Sequence, residues 1–137
     1  MKKNLLLLLF AIFAGAGCSF FTFPAPEPLP LSGTLWSPES APPESGSARL
    51  SFLPDGRAGG RVGDNFFFGS VTIGNGDEMR FGVLSVTSRP GRAGRYEKHF
   101  LSMLELTARY SINGDRLTLF DAEGRELLRF HGSGPRG

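Results

Sequence analysis

The chain has 137 residues, which is enough for one domain with one hydrophobic core. Its only cysteine is Cys18, so no disulfide can form within the chain. The formal net charge of +2 disappears when Lys2 and Lys3 are left out, and this neutral balance gives no reason to expect a nucleic-acid partner.

Residues 1–17 have the three parts of a secretory signal peptide. A basic start at Lys2 and Lys3 precedes an unbroken apolar run from Leu5 to Phe13, and small residues then lead to Cys18. The apolar run is shorter than the ~20 residues that a membrane-spanning helix needs. We therefore predict that the protein is exported and that residues 1–17 are removed.

Cys18 follows Ala16-Gly17 in a context that resembles a bacterial lipoprotein box, in which the cysteine is lipidated and becomes the first mature residue. The context departs from the usual pattern at Gly15, where leucine is common. The alternative is an ordinary signal peptide with a cysteine near the cleavage site. We predict lipidation, because a lone cysteine in an exported protein needs a reason. Ser19, in place of aspartate, favours the outer membrane on its periplasmic side.

Residues 18–30 are predicted to form a semi-rigid tether. Prolines alternate with other residues at positions 24, 26, 28 and 30, and this spacing favours extended polyproline II rather than a helix or a sheet. Such a segment separates a lipid anchor from a folded domain. The domain itself is predicted over 31–132, followed by a flexible tail over 133–137.

Short strands separated by turn residues fill most of the domain, with one amphipathic helix over 96–107. There is no alternation of strands and helices, so a parallel sheet is not expected. We predict a mainly β (α+β) fold, a small antiparallel open β-barrel of about eight strands with the helix at one end. The predicted strands are 31–36, 48–53, 58–62, 66–73, 79–87, 108–112, 116–119 and 126–131.

Three consecutive phenylalanines follow the turn at Gly63-Asp64-Asn65. Side chains alternate between the two faces of a strand, so Phe67 is predicted in the core and Phe66 and Phe68 on the opposite face. If nothing covers them, these two rings form an apolar patch of the kind that marks a binding surface. The alternative is that a sheet edge, the helix or the tether covers them.

The order of several short motifs resembles the META domain, the module of the HslJ-like heat-shock lipoproteins. The resemblance extends over about residues 31–131. It implies a small antiparallel barrel in an exported or outer-membrane bacterial protein linked to heat stress, antibiotic tolerance, motility or secretion, without catalytic residues or a cofactor. The residues that carry it are Gly33-Thr-Leu-Trp36, Phe52-Leu-Pro-Asp-Gly-Arg57, Gly60, Gly63-x-Asn65-x-Phe67-x-Gly69, Thr87, Tyr96 to Leu104, Tyr110, Asn113-Gly-Asp115 and Leu117-Thr-Leu119.

One departure from the family pattern is informative. The family commonly has a cysteine where this chain has Asp64, and a second cysteine near the position of Gly91. Both are missing together, as expected for the loss of a disulfide pair. Such a bridge stabilises a protein by ~2–4 kcal/mol. Packing around Gly63-Asp64-Asn65 must therefore hold this corner without it.

A basic loop is the second candidate binding region. Arg89, Arg92, Arg95 and Lys98 fall within ten residues, opposed only by Glu97, and could meet lipid phosphates or an acidic partner. Arg95 is also expected near the helix N-terminus, where the helix dipole prefers an anion. The alternative is a solvated loop in an arginine-rich protein.

The remaining residue patterns favour no catalytic or metal site. His99 and His131 are the only histidines, whereas a metal site needs three or four ligands at suitable spacing. No serine lies in a Gly-x-Ser-x-Gly context. We predict no enzymatic activity, no cofactor and no metal.

The resulting prediction is a monomeric, lipid-anchored envelope protein that binds an envelope protein or a lipid and is associated with envelope stress. An alternative is a pilot-like or lipocalin-like module that holds a lipid or peptide in a barrel crevice. That alternative requires a continuous apolar cavity near Trp36, Phe67 and Phe81. A secreted hydrolase would instead need a polar cleft with convergent titratable groups.

Overall fold

The computed structural model of the protein describes residues 27–90 and 94–134. The predictions for the signal peptide, for Cys18, for most of the tether, for Arg92 and for the last three residues lie outside these ranges. A single 3-10 turn at Pro43–Ser45 follows the first strand. The strands and the helix of the described residues are β1 (Leu35–Pro38), β2 (Arg49–Phe52), β3 (Arg57–Val62), β4 (Asn65–Ile73), β5 (Met79–Phe81), β6 (Ser85–Val86), α1 (Gly94–Leu106), β7 (Arg109–Asn113), β8 (Arg116–Phe120) and β9 (Glu126–Ser133).

The nine described strands form one antiparallel sheet that curls into a nearly closed barrel. Its order is β5-β4-β3-β2-β1-β9-β8-β7, with β6 paired to β4 beside β5. The two ends of this order meet, because Met79 N–H donates to the Ala108 carbonyl at 3.1 Å and Tyr110 N–H donates to the Asp77 carbonyl at 2.9 Å. The predicted fold class, a small antiparallel barrel with one helix, is confirmed.

The predicted strand 79–87 is in fact two strands, β5 and β6, which raises the described strand count from about eight to nine. The chain leaves the sheet at Gly82, where an added Cβ would run into the Ser70 hydroxyl. This break interrupts the alternation, so Val83 is 91% exposed and Leu84 next to it is buried. Period-2 alternation could not locate the break, since the two residues of β6 are both exposed and carry no alternating pattern.

The barrel interior is filled by aromatic and aliphatic side chains. Helix α1 inserts Phe100, which is fully buried. The Phe100 ring meets Phe67 edge-on at a centroid distance of 5.7 Å and Phe130 at 6.1 Å. Such edge-to-face pairs contribute about 0.5–1.5 kcal/mol each beyond the burial of their area. Phe67 is 1% exposed, so its predicted place in the core is confirmed.

The segment before β1 packs against one end of the barrel. Leu29 N–H donates to the Gly114 carbonyl at 2.9 Å, in the turn between β7 and β8. The Trp36 indole N–H donates to the Leu31 carbonyl at 3.2 Å, and the Thr34 hydroxyl donates to the Pro30 carbonyl at 2.7 Å. The last residues of the predicted tether therefore contact the domain. No helix within the described ranges is both long and apolar enough to cross a membrane.

Candidate functional site

Phe66 and Phe68 project from the outer face of the sheet formed by β1–β4, which we call the aromatic face. Their side chains are 54% and 57% exposed, while Asn65 and Phe67 between and beside them are buried. Each ring is therefore about half exposed, and the Arg61 guanidinium lies over the Phe66 ring. Helix α1 contacts the inward-facing Phe67 through Phe100, on the opposite side of the sheet from the two rings.

The strand register arranges this face in rows. One row runs from Arg49 through Arg61 to Phe66. The next runs from Leu35 through Ser51 and Gly59 to Phe68. Because Gly59 has no side chain, a groove of about 500 Å³ opens between the rows; its lining includes Leu35, Arg49, Ser51, Leu53, Arg61 and Phe66.

The arginines of the aromatic face are not equivalent. A guanidinium nitrogen of Arg57 lies 2.6 Å from a carboxylate oxygen of Asp55. The hydrogen bond from Arg57 lowers the pKa of the Asp55 carboxyl group. Among the described side chains, no carboxylate lies within 4.0 Å of Arg49 or Arg61. The Arg61 guanidinium carbon lies 5.8 Å from the centroid of the Phe66 ring, and its Nε–H donates to the Gly63 carbonyl at 3.2 Å. This face thus presents cations next to apolar rings.

Asn65 holds the corner from which the aromatic face begins. Its amide N–H groups donate to the Arg89 carbonyl at 2.9 Å and to both Glu97 carboxylate oxygens at 3.0 and 3.1 Å. Its carbonyl accepts from the Thr87 hydroxyl at 2.8 Å and from the Arg89 N–H at 2.6 Å. One buried side chain therefore connects β4, the loop after β6 and the first turn of α1.

This network explains how the corner persists without a cysteine pair. The sequence predicts Asn65 as a turn residue, but the turn lies at Gly63, with φ of 59°, and at exposed Asp64. Asn65 is the first residue of β4, and its role is to join distant segments. No local signal pairs it with Thr87 or Glu97, because they are 22 and 32 residues away.

The same network orients Phe66. The Phe66 N–H donates to the Thr87 hydroxyl at 2.9 Å, and its carbonyl accepts from the Thr87 N–H at 2.9 Å. Since Thr87 is itself bound to Asn65, the backbone beneath the exposed ring is held along the edge of β4 that faces Thr87. Rigid presentation lowers the conformational entropy lost when an exposed side chain binds a partner.

The basic loop is only partly described. Arg89, Arg95 and Lys98 are exposed, and Arg92 lies outside the described residues. Glu97 already places a carboxylate in the first helical turn, where the dipole favours negative charge. This carboxylate therefore offsets part of the positive potential at the predicted anion site.

The histidines lie on separate elements. His99 lines a groove of about 320 Å³ together with Tyr96, whose partial burial raises the pKa of its hydroxyl. His131 Nδ1 lies 3.4 Å from an Asp115 carboxylate oxygen. Within the described ranges, no group of three or more histidine, cysteine or carboxylate side chains is arranged to hold a metal ion.

The lipocalin-like alternative requires an interior cavity near Trp36, Phe67 and Phe81, and none of the five grooves described for the domain is lined by all three. Trp36 is fully buried and Phe67 nearly so, and their neighbours fill the space around them. The five best-defined pockets are surface grooves, and neither Trp36 nor Phe81 lines any of them. The apolar groove of this domain lies on the outside of the barrel.

Comparisons with known proteins agree with this architecture. The family model described as META domain matches residues 30–133. The fold is similar to the NMR structure of a protein from Burkholderia xenovorans, with 21% identity, a TM-score of 0.59, and 85% of this chain and 97% of that chain covered. It is also similar to the crystal structure of a DUF4847 family protein from Bacteroides vulgatus, with 13% identity, a TM-score of 0.55, and 77% and 96% covered. No curated protein sequence matches the chain.

Proposed function

Since the chain belongs to the META domain family, we propose that it is a lipid-anchored, non-enzymatic protein of the bacterial cell envelope that binds a partner through its aromatic face. The observation that carries this proposal is the pair Phe66 and Phe68, each more than half exposed on a strand whose backbone is fixed by Asn65 and Thr87.

Two large rings on one side of a strand expose an apolar surface that water solvates poorly. Fully burying an exposed side chain of this size stabilises a complex by about 1.5–3 kcal/mol, and rings that are already nearly half-buried retain roughly half of that gain. Replacing Phe66 and Phe68 would not disturb the core, because only Phe67 of the three consecutive phenylalanines faces inward. Their exposure is therefore better explained by an interaction than by the stability of the fold.

The sequence supports the proposed anchor at Cys18. In polyproline II geometry, the segment from Cys18 to Leu29 would extend about 34 Å, at ~3.1 Å per residue. This length holds the domain close to the membrane surface while leaving it free to turn. We place the protein at the outer membrane, facing the periplasm, and associate it with envelope stress.

The anchor is tested with Cys18→Ala in a bacterial host. We expect the unchanged chain to accumulate as an unprocessed precursor when the lipoprotein signal peptidase is inhibited, and to be labelled by an alkyne-tagged fatty acid. Cys18→Ala should lose the label and move to the soluble envelope fraction. Labelling that survives Cys18→Ala would contradict lipidation at this residue.

The binding face is tested by photo-crosslinking in the envelope. A photoreactive residue is placed at exposed Ser70, in the outward row beyond Phe68, and for control at exposed Ser111 on β7. We expect adducts from position 70 that disappear in the double variant Phe66→Ser with Phe68→Ser. Adducts that persist in the double variant, or that are equal from position 111, would contradict the proposed face.

The basic loop provides a second contact in this proposal. Arg89, Arg95 and Lys98 are exposed in the segments that Asn65 joins to β4, and they suit an anionic part of the same partner. Replacing Arg92 and Arg95 by glutamate should weaken the crosslinks at Ser70 without abolishing them. Unchanged crosslinking would remove this loop from the binding site.

A further inference from the structure

We propose that the groove on the aromatic face is a site for one molecule of an amphiphile with a single alkyl chain and an anionic head group. This inference rests on the proposed function, because it names the ligand class of the same face. It assigns the head group to Arg49 and Arg61 and the alkyl chain to the path over Gly59 towards Leu53.

The floor of the groove is open because of Gly59. Its φ is not positive, so the backbone conformation does not require glycine there. An added Cβ would lie 3.1 Å from the Phe67 carbonyl oxygen and 3.4 Å from the Phe68 Cβ, close but not prohibitive. Glycine weakens a strand interior and often marks a place where a ligand approaches the backbone. Any side chain at this position would fill the path.

Charge divides the groove into two ends. Arg49 and Arg61 face each other in the register of β2 and β3, with no described carboxylate within 4.0 Å of either. The next outward-facing row, two residues along the strands from the arginines, contains Leu35, Ser51 and Gly59. Leu53, which is exposed, lies in the row beyond, opposite Arg57, whose charge is paired with Asp55. At ~3.3 Å per residue, the path from the arginine row to the Leu53 row is about 13 Å long.

This arrangement favours a single molecule over a bilayer surface. The groove is a shallow depression on the sheet surface, and its volume of about 500 Å³ is within the range of small-molecule sites. The Phe66 ring lies beside Arg61 at the cationic end of the groove, and Phe68 is the last residue of the row that contains Gly59. A head group bound to two guanidinium groups can therefore be followed by a chain lying on the exposed backbone of β3. A flat membrane surface would not reach that backbone.

The test uses the chain from Ser19 to Gly137, which retains every described strand and the complete core. Backbone amide shifts are recorded by NMR during titration with dodecanoate below its micelle concentration. Dodecyltrimethylammonium supplies the same tail with the opposite charge, and butyrate supplies the same head without the long tail. We expect saturable, one-to-one shifts at Ser51, Gly59 and Arg61 with dodecanoate, and much weaker effects with the other two.

Substitutions test the head-group end and the alkyl-chain path of the site separately. Arg61→Gln should weaken dodecanoate binding roughly tenfold, as expected for the loss of one charge-assisted contact. Gly59→Val should abolish the saturable shifts by filling the floor. If Gly59→Val folds poorly, Ser51→Leu fills the neighbouring position without placing a side chain in the contact with Phe67. Arg80→Gln is the matched control, because it removes an exposed arginine outside the groove lining and should leave the affinity unchanged.

Three results would overturn the proposal: no saturable dodecanoate shifts, equal binding of dodecyltrimethylammonium, or binding only to vesicles of anionic phospholipid. If dodecanoate fails while crosslinking at Ser70 still depends on Phe66 and Phe68, the proposed function stands and only this inference is lost. If neither is observed, both are wrong.

Discussion

The outer faces of β1–β4 and β7–β9 belong to one sheet, yet they carry their charges differently. On the β7–β9 side, described charges are matched within 4.0 Å, and on β1–β4 only Arg57 has such a partner. Exposed phenylalanines occur on the β4 side alone among the described residues. The pairs on and around β7–β9 are Asp77 with Arg109, Glu39 with Arg116, Asp121 and Glu123 with Arg125, Glu126 with Arg129, and Asp115 with His131.

The difference is informative because neither arrangement is needed for stability. Exposed ion pairs contribute about 0–1 kcal/mol, and exposed rings contribute little to the core. Matched charges leave a surface with weak affinity for other molecules. Unmatched cations beside apolar rings leave a surface that attracts anionic and apolar groups together. The two faces therefore differ in the way that the proposed binding site requires.

The strongest test of this comparison uses two adjacent residues of the same type. Phe67→Ala removes a buried ring that contacts Phe100 and should lower the free energy of unfolding by about 3–5 kcal/mol. Phe68→Ala removes an exposed ring and should lower it by less than about 0.5 kcal/mol. Urea unfolding followed by circular dichroism measures both. Similar losses for the two variants would show that Phe68 is part of the core.

A somewhat smaller effect is expected at the corner that supports the aromatic face. Asn65→Ala leaves the Arg89 N–H and the Thr87 hydroxyl without their acceptor, which should cost about 2–3 kcal/mol in urea unfolding. Asn113→Ala, at an exposed site on β7, is the control and should change stability by less than about 0.5 kcal/mol. A loss no larger than that of the control would mean that other contacts hold the corner.

The charge-paired side should respond to acid through Asp121. Its carboxylate accepts the Arg125 and Glu123 N–H groups at 2.8 and 3.0 Å and the Arg125 Nε–H at 2.9 Å. The backbone hydrogen bond from Arg125 is the main cause of a pKa below the ordinary 3.8 of aspartate. A depressed carboxyl pKa stabilises the fold above the unfolded pKa, and that stability is lost as the pH falls through the folded pKa.

We therefore expect the free energy of unfolding to decline as the pH falls below about 4, and to decline less steeply in Asp121→Asn. Urea unfolding between neutral pH and pH 3 measures this slope. Because the amide still accepts hydrogen bonds, the variant isolates the charge. An identical slope in both proteins would assign the acid sensitivity to other carboxyl groups.

The smallest effect is expected for a single exposed pair. On β9, a guanidinium nitrogen of Arg129 lies 2.6 Å from a carboxylate oxygen of Glu126. A double-mutant cycle with Glu126→Gln and Arg129→Gln should give a coupling energy of about 0.3–0.5 kcal/mol, which falls further at high salt. A coupling well above 1 kcal/mol would show that this face contributes to stability, and the contrast between the two faces would then lose its basis.

Much of the fold follows from local patterns in the sequence. Alternation across β4 correctly predicted Phe67 inside and Phe66 and Phe68 on the other face, because side-chain direction in a strand depends only on the position along it. Turn residues located most strand ends, and the helix was predicted to within two residues of its observed bounds. The META resemblance, confirmed over residues 30–133, came from the order of these same short motifs.

Contacts between distant segments were decided by the tertiary structure alone. The sequence showed Asn65 but not its bonds to Arg89 and Glu97, since nothing local relates residues so far apart. The groove likewise requires two paired strands, β2 and β3, to place Arg49, Arg61 and Gly59 on one surface. Strand register brings these residues together, and register depends on how the whole barrel closes rather than on any one stretch of the chain.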